Sequence, residues 1–284
     1  MRRMHTTKTR TRTKFLLLAA AAGTLAVGAS SVASATTEPP GDTTEMATDV
    51  SAAPAPPVTA GEPSSPEAEA FCEAELGIEA ATSSEDPAAV GPAIEAAMAA
   101  ATDDVRPLLE TVVAAFEATG GEGPEFDAAY GALIAWMQEN CGFAQLNVTL
   151  SEFAFGGIPE ELPAGGTIVS AVNTGEQVHE IVVFRLNDDM TMTVEELFAL
   201  PEEELFPNLT FAGAGFAVPG EIGSAVLNLT PGRYVAICFL PDGLTPEIFE
   251  QAGGQNGPDV SYPPGVELGA PHFVHGMLQE FTVV

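Results

Sequence analysis

The feature that most constrains this chain is where its histidines and its last cysteine lie. Three of the four histidines belong to the second half of the chain, at His179, His272 and His275. Cys238 lies near the end of a β-like run, residues 233–239, and Met277 directly precedes another run of that kind. One thiolate, two imidazoles and a thioether form the ligand set that holds copper in a trigonal site with a long axial sulfur. The predicted ligands of one copper ion are His179, Cys238, His272 and Met277, with His275 as the alternative to His272.

The first 35 residues have the pattern of a secretory signal peptide. A basic start is followed by an apolar stretch from Phe15 to about Val27 and by small residues at 33–35. This order predicts removal of residues 1–35 and therefore a secreted, extracellular protein. No arginine pair stands directly before the apolar stretch and no cysteine follows it, which favours ordinary secretion over twin-arginine export or a lipid anchor.

Removal of this leader would leave a strongly acidic protein. Beyond it the basic residues are Arg106, Arg185 and Arg233, against 40 Asp and Glu. Such a charge repels nucleic acid and anionic membrane surfaces and attracts basic proteins and cations. We therefore expect no nucleic acid partner and no membrane span. Two uses of the charge stay open: recognition of a basic redox partner, or a solubilising surface in a salty or acidic habitat.

The three cysteines are an odd number, which in an exported chain indicates one pair and one thiol with another role. Cys72 and Cys141 lie in one compositional region and Cys238 lies in another, so we expect a disulfide between the first two. In the chain-entropy model that cross-link is worth about 4 kcal/mol. A free thiol outside the cell is easily oxidised unless it is buried or metal-bound, which supports Cys238 as a ligand.

The chain before the last cysteine is predicted to contain a spacer and a helical domain. Residues 36–65 are rich in Pro, Ala, Thr, Ser, Glu and Gly without an aromatic residue, which predicts a disordered linker. Residues 66–143 combine prolines at helix starts with apolar residues spaced by three and four, which predicts a small helical bundle. The four predicted helices span about 66–81, 87–101, 103–119 and 124–141, and residues 102–104 are predicted to cap the third.

Residues 144–284 change to short apolar or alternating runs separated by Gly and Pro. Such a series with turn signals favours an antiparallel β-sandwich. Two short helices are expected to interrupt it, after Thr193 and after Thr245, because each threonine is a suitable N-cap. The seven predicted strands span about 146–153, 166–173, 179–186, 208–214, 224–229, 233–239 and 278–284.

Three segments of this region resemble the cupredoxin family: residues 173–179, residues 229–234 before Cys238, and the spacing of His272, Gly276 and Met277. The resemblance covers about 145–284 and implies a Greek-key sandwich with type 1, or blue, copper at one end. The predicted fold class is α+β multidomain, a disulfide-tied helical bundle followed by a cupredoxin-like Greek-key β-sandwich. The chain beyond the leader, a helical two-cysteine domain followed by a module that ends in residues 276–283, also resembles uncharacterised secreted actinobacterial proteins. This second resemblance indicates no activity.

Three positions depart from the family pattern. Residues 239–271 separate the cysteine from the second histidine, where family members have only a few residues. The position after the first histidine often holds asparagine, and here it is Glu180, which either accepts an imidazole N–H or points to solvent. His275 competes with His272, and the spacing to the methionine favours His272.

These observations favour a secreted copper protein that passes one electron at a time, with Cys238 as the electronic path and Met277 tuning the potential. An enzyme is not expected, because three histidines cannot build the trinuclear centre of a multicopper oxidase and no third group orients a Cys–His pair. A closed zinc site would not use a thioether. Two alternatives stay open: extracellular copper sequestration or delivery, suggested by the acidic surface and the long loop, and a metal-free cupredoxin-fold binding module.

Overall fold

The computed structural model describes residue 55 and residues 57–84, 86–121, 123–254 and 262–284. The predicted signal peptide, 1–35, and most of the predicted linker, 36–65, lie outside these described residues. Over the part that is described, no helix combines the length and the apolar character that crossing a membrane requires.

The end of the predicted linker contacts the helical region. Residues 57–64 form no helix or strand. The N–H of Gly61 donates to the carbonyl of Gly142 at 2.7 Å, and the N–H of Ser64 donates to the carbonyl of Asn140 at 2.9 Å. This part of the segment is therefore held against the end of the fourth helix.

Four helices follow, and most of their starts have the local signals expected of them. The Oγ of Ser65 accepts the N–H of Ala68 at 3.0 Å and so caps the first helix. The predicted cap at 102–104 is wrong, because the third helix begins only at Arg106 and has no side-chain cap. The helices are α1 (Pro66–Thr82), α2 (Val90–Ala100), α3 (Arg106–Thr119) and α4 (Pro124–Asn140), with a 3₁₀ turn over Pro87–Ala89.

The helices share one buried core, which the disulfide joins. Cys72 in α1 and Cys141 after α4 are bonded, and Cys238 is left as a buried free thiol. The buried residues Phe71, Leu133 and Met137 pack in this core. Ile168 and Val226, which come from the sheet region, also belong to it. The helices therefore cover one face of a sheet.

Nine strands and three short helices make up the rest of the described chain. The strands are β1 (Ala144–Ser151), β2 (Ala154–Gly156), β3 (Glu161–Leu162), β4 (Gly165–Asn173), β5 (His179–Leu186), β6 (Leu209–Ala217), β7 (Ile222–Leu229), β8 (Gly232–Ile237) and β9 (Leu278–Val283). The short helices are α5 (Val194–Phe198), α6 (Glu202–Leu205) and α7 (Pro246–Gln251), with 3₁₀ turns over Phe206–Asn208 and His272–His275. Thr193 and Thr245 cap α5 and α7, as predicted.

The strands form two mixed sheets, with the orders β2-β1-β4-β7 and β3-β9-β8-β5-β6. The prediction of a purely antiparallel sandwich is wrong, because β1 pairs with β4 and β3 pairs with β9 in parallel. An alternating pattern reports which side chains are buried and does not report the direction of the neighbouring strand. The strands β2 and β3 are also too short to show a pattern of their own.

The two sheets pack face to face across one apolar core. It combines residues of β1, β4 and β7 with residues of β5, β8 and β9. Strand β5 is buried on both faces, because its other side packs under α5 through Val182, Phe184 and Leu186. At one end the core between the sheets finishes with Val178, Cys238 and Met277. The candidate site therefore lies at this end.

Candidate metal centre

Sheet register brings the four predicted ligands to one end of the second sheet. His179 begins β5, Cys238 follows β8, and Met277 directly precedes β9. Strand β8 runs antiparallel to both β5 and β9, so its end lies beside their starts. His272 lies in the 3₁₀ turn just before β9. Residues far apart in sequence thus meet.

Three of these residues place their donor atoms in one small buried group. The Nδ1 atoms of His179 and His272 are 3.1 Å apart, and the Sγ of Cys238 is 3.4 Å from the Nδ1 of His272. All three side chains are 0% exposed. The candidate ligand atoms lie within 4.8 Å of one another, and no other group of His, Cys, Asp and Glu in the described ranges does so.

The spacing of these atoms suits a metal ion. Bonds of about 2.0 Å to nitrogen and about 2.3 Å to sulfur in a trigonal plane would separate the donors by about 3.5 Å. The two measured separations, 3.1 Å and 3.4 Å, are close to that value. Two of the three donor pairs therefore have the spacing of a trigonal site, and the third pair lies within 4.8 Å.

Gln177 determines which nitrogen of His272 carries the proton. The Oε1 of Gln177 accepts the N–H of Gly243, and its Nε2 donates to Asp242 at 3.0 Å, so its orientation is fixed. The same Oε1 lies 3.2 Å from the Nε2 of His272. Because this oxygen accepts hydrogen bonds, the Nε2 of His272 must donate. The Nδ1 of His272 therefore turns a lone pair towards Cys238.

Glu152 has the same effect on His179. The Nε2 of His179 is buried, lacks a hydrogen bond of ordinary length, and lies 3.5 Å from the Oε1 of Glu152. A carboxylate only accepts, so this contact favours the tautomer with the proton on Nε2 and the lone pair on Nδ1. Two nitrogen lone pairs and a sulfur then face one another in the interior. The Cys238 thiol can donate its proton to the Nδ1 of His272 at 3.4 Å, and a metal ion that replaces this proton would meet two imidazole nitrogens and one sulfur.

The pKa values of the three residues favour neutral side chains in the metal-free protein. Burial lowers the pKa of His179, although the charge of Glu152 opposes this shift. Burial and then the neighbouring His179 lower the pKa of His272 to about 4. Burial raises the pKa of the Cys238 thiol well above its ordinary value. A metal would therefore have to displace the thiol proton on binding.

Met277 and His275 lie in different environments. Met277 is fully buried, its carbonyl accepts the N–H of Cys238 at 3.2 Å, and its N–H donates to the carbonyl of His272 at 3.2 Å. The backbone of Met277 is thus held between two candidate ligands. His275 is exposed and lies against the ring of Phe153, with a centroid distance of 4.7 Å. The structure therefore places His272 in the donor group and leaves His275 outside it.

The long segment from 239 to 271 is closed at its base. The N–H of His272 donates to the carbonyl of Leu240 at 2.8 Å, and the N–H of Phe273 donates to the carbonyl of Cys238 at 3.0 Å. Asp242 pairs by backbone hydrogen bonds with residues 269 and 270. Backbone hydrogen bonds therefore hold the two ends of the segment together beside Cys238 and His272.

Glu180 takes neither of the two roles expected for it. It is only 4% exposed, and its Oε1 accepts the N–H of Phe239 at 3.0 Å. Successive side chains of a strand point to opposite faces, so Glu180 points away from the imidazole of His179. Burial raises the pKa of Glu180 to about 7. Glu152 and Gln177 contact the imidazoles instead, and sequence reasoning missed both because nothing local marks them.

Comparison with known proteins gives distant structural likenesses. No family model and no curated protein matches the chain. Auracyanin B shares 22% identity over 49% of this chain and 88% of its own, with a TM-score of 0.29. Reduced auracyanin from Roseiflexus castenholzii shares 21% over 49% and 96%, with a TM-score of 0.29. A multicopper oxidase from Pediococcus acidilactici shares 12% over 50% and 26%, with a TM-score of 0.26. Each of these likenesses covers about half of this chain.

Proposed function

We propose that this protein binds one copper ion and passes single electrons through it. The observation that carries the proposal is the buried group of two Nδ1 atoms and one thiol sulfur, each within 4.8 Å of the others. His179, Cys238 and His272 would be the trigonal ligands and Met277 the axial one. Thiolate and thioether sulfur together with imidazole select copper over magnesium, calcium or manganese, and a thioether is unusual for zinc.

Electron transfer fits this site better than catalysis on a bound substrate. A catalytic metal keeps a coordination position open to water or substrate. Here His179, Cys238, His272 and Met277 are all 0% exposed. Electrons reach such a centre through the protein, whereas a substrate would have to displace packed side chains. We therefore propose a carrier rather than an enzyme, with a basic protein as its redox partner.

The proposed organisation follows the same reasoning. Residues 1–35 would be a signal peptide, 36–65 a linker, 66–143 a disulfide-tied helical bundle and 144–284 a cupredoxin-like Greek-key sandwich. The bond between Cys72 and Cys141 supports an oxidising, extracellular location, because such disulfides persist outside the cytoplasm. The helices would be a spacer or a docking platform for the copper domain.

The test is the visible and electron paramagnetic resonance spectrum of the reduced protein after addition of one equivalent of Cu(II). An intense thiolate-to-copper band with narrow hyperfine splitting is expected. Cys238→Ser and His272→Ala should abolish the band, and His275→Ala, an exposed matched control, should keep it. A band that survives Cys238→Ser would contradict the proposal.

The closed base of the 239–271 segment supports retention of copper over its delivery. A ligand loop that opens would release the metal readily. In this loop the backbone N–H and carbonyl of Asp242 are hydrogen-bonded to residues 270 and 269. We therefore expect slow loss of copper to an excess of a strong chelator. Loss within the mixing time would favour delivery, and failure to take up copper would favour a metal-free binding module.

A further inference from the structure

We propose that Glu152 is a positioning residue for His179 and that its charge stabilises the more positive state of the metal. This inference rests on the proposed copper site. Glu152 lies in the turn after β1, and the fold brings its carboxylate close to His179 at the start of β5. Three observations support it: the place of Glu152 in the turn, the groups that hold its carboxylate, and the buried Nε2 of His179 beside it.

The first support is the place of Glu152 in the fold. Glu152 and Phe153 form the turn between β1 and β2. Phe153 has a φ of 63°, and no other non-glycine residue in the described ranges has a positive φ. Strain of this kind at a non-glycine residue persists only where the surroundings enforce it. The turn places Glu152 against His179 and the ring of Phe153 5.3 Å from that of His272.

The second support is the set of contacts that hold the carboxylate of Glu152 in place. The Oε1 of Glu152 accepts the N–H of Glu176 at 2.6 Å and the N–H of Gln177 at 2.9 Å. A Cβ at Gly175 would collide with both carboxylate oxygens. The glycine therefore leaves the space that Glu152 occupies, and two backbone donors hold the charge in that space.

The third support is the histidine on the other side. The Nε2 of His179 is fully buried and makes no ordinary hydrogen bond, and the Oε1 of Glu152 lies 3.5 Å from it. Metal binding at Nδ1 would make the Nε2–H more positive and strengthen its attraction to the carboxylate. The pair thus orients the lone pair of His179 towards the site before the metal arrives.

The charge of Glu152 should favour Cu(II) over Cu(I). Outer partners of ligating histidines typically change metal affinity by about 10- to 100-fold when they are removed. If the loss falls on Cu(II), a tenfold change raises a one-electron reduction potential by about 59 mV. Glu152→Gln keeps an acceptor for the two backbone donors and removes only the charge, so we expect this rise in the copper-loaded variant.

The matched control is Glu176→Gln. It removes an equal charge from the exposed side chain of a neighbouring residue whose backbone alone contacts Glu152. We expect a clearly smaller change of potential than in Glu152→Gln. Equal changes in the two variants would overturn the inference, because the effect would then be one of general surface charge.

A second measurement needs no copper. Nitrogen-15 spectra of the metal-free full-length protein should show His179 protonated at Nε2, and Glu152→Ala should mix the two tautomers. Gly175→Ala should do the same without changing Glu152, because the added methyl displaces the carboxylate. A single Nε2–H tautomer in both variants would overturn the inference.

The two readouts distinguish this inference from the proposed function. If the wild-type protein forms no blue copper band, the proposed function fails, and the tautomer of His179 still tests the positioning by Glu152. If the band forms and neither the potential nor the tautomer responds to Glu152, the inference alone fails.

Discussion

The Nδ1 atoms of His179 and His272 face each other at 3.1 Å although 93 positions separate the two residues in the chain. Each ring has its other nitrogen directed at an acceptor, Glu152 for His179 and Gln177 for His272. The lone pairs of both rings therefore point at one spot beside Cys238. Two imidazole nitrogens and one sulfur thus surround a point that a cation can occupy once the thiol loses its proton.

Copper should raise the thermal stability of the protein. A ligand that binds only the native state stabilises it by about 2.7 kcal/mol when its free concentration is about 100 times Kd. We expect a higher Tm with one equivalent of copper, and no rise in Cys238→Ser, which lacks a trigonal ligand. Scanning calorimetry of both proteins with and without the metal provides the measurement. An unchanged Tm in the wild type would argue for a metal-free module.

Loss of the Gln177 side chain should weaken copper binding. Its Oε1 is the acceptor for the Nε2–H of His272, and it also ties that ring to Gly243. We expect Gln177→Ala to lower copper affinity by about 10- to 100-fold, measured by competition with a chelator. Gln145→Ala is the matched control, because the Nε2 of Gln145 donates to the carbonyl of Phe143 and not to a candidate ligand in the described part of the chain. Equal affinity in the two variants would contradict this role.

The helical region should lose stability as pH rises through neutrality. Burial raises the pKa of Glu75 to about 7, and burial together with the charge of Glu75 raises the pKa of Glu79 to about 8, while the hydroxyl of Tyr130 opposes the second shift. The folded protein therefore binds more protons than the unfolded chain. The contribution of these groups is greatest below pH 4.5 and is lost between that pH and about 8.

Glu75→Gln isolates this effect. Glu75 is only 3% exposed, so its shifted pKa corresponds to a cost on the order of 3 kcal/mol at pH 8. Between pH 5 and pH 8, we expect the free energy of unfolding of the variant to exceed that of the wild type most at pH 8 and least at pH 5. Urea denaturation measures this difference. Glu73→Gln, an exposed change on the same helix, is the control. A pH-independent difference between Glu75→Gln and the wild type would refute the prediction.

The disulfide should stabilise the helices without affecting the copper site. Cys72 and Cys141 close a loop with a sequence separation of 69, and replacing both by Ala should cost roughly 4 kcal/mol in the chain-entropy model. The copper spectrum should be unchanged, because neither sulfur belongs to the donor group. Chemical denaturation and the visible spectrum of the double variant test the two parts separately. A changed spectrum would show that the helices shape the site.

Local signals in the sequence predicted a large part of the secondary structure. Ser65 caps α1 and Thr193 begins α5 with a capping box, because a cap depends only on residues three positions apart. The alternation of buried and exposed residues marked β1 in the same way. The cap predicted at 102–104 failed because its Thr102 hydroxyl bonds Asp104 instead of a helix N–H.

The sequence by itself determined which chemistry is available: a thiol left over after Cys72 and Cys141 pair, histidines near it in the β region, and a methionine before the last strand. Only the tertiary structure decided how these groups meet. The choice of His272 over His275, the placement of Glu152 rather than Glu180 at His179, and the parallel pairing of β1 with β4 all depend on strand register and on backbone pairing across the base of a long loop. The type of each ligand can be seen from its residue in the sequence. Strand register depends on contacts between segments that are far apart in the chain, so no local pattern predicts it.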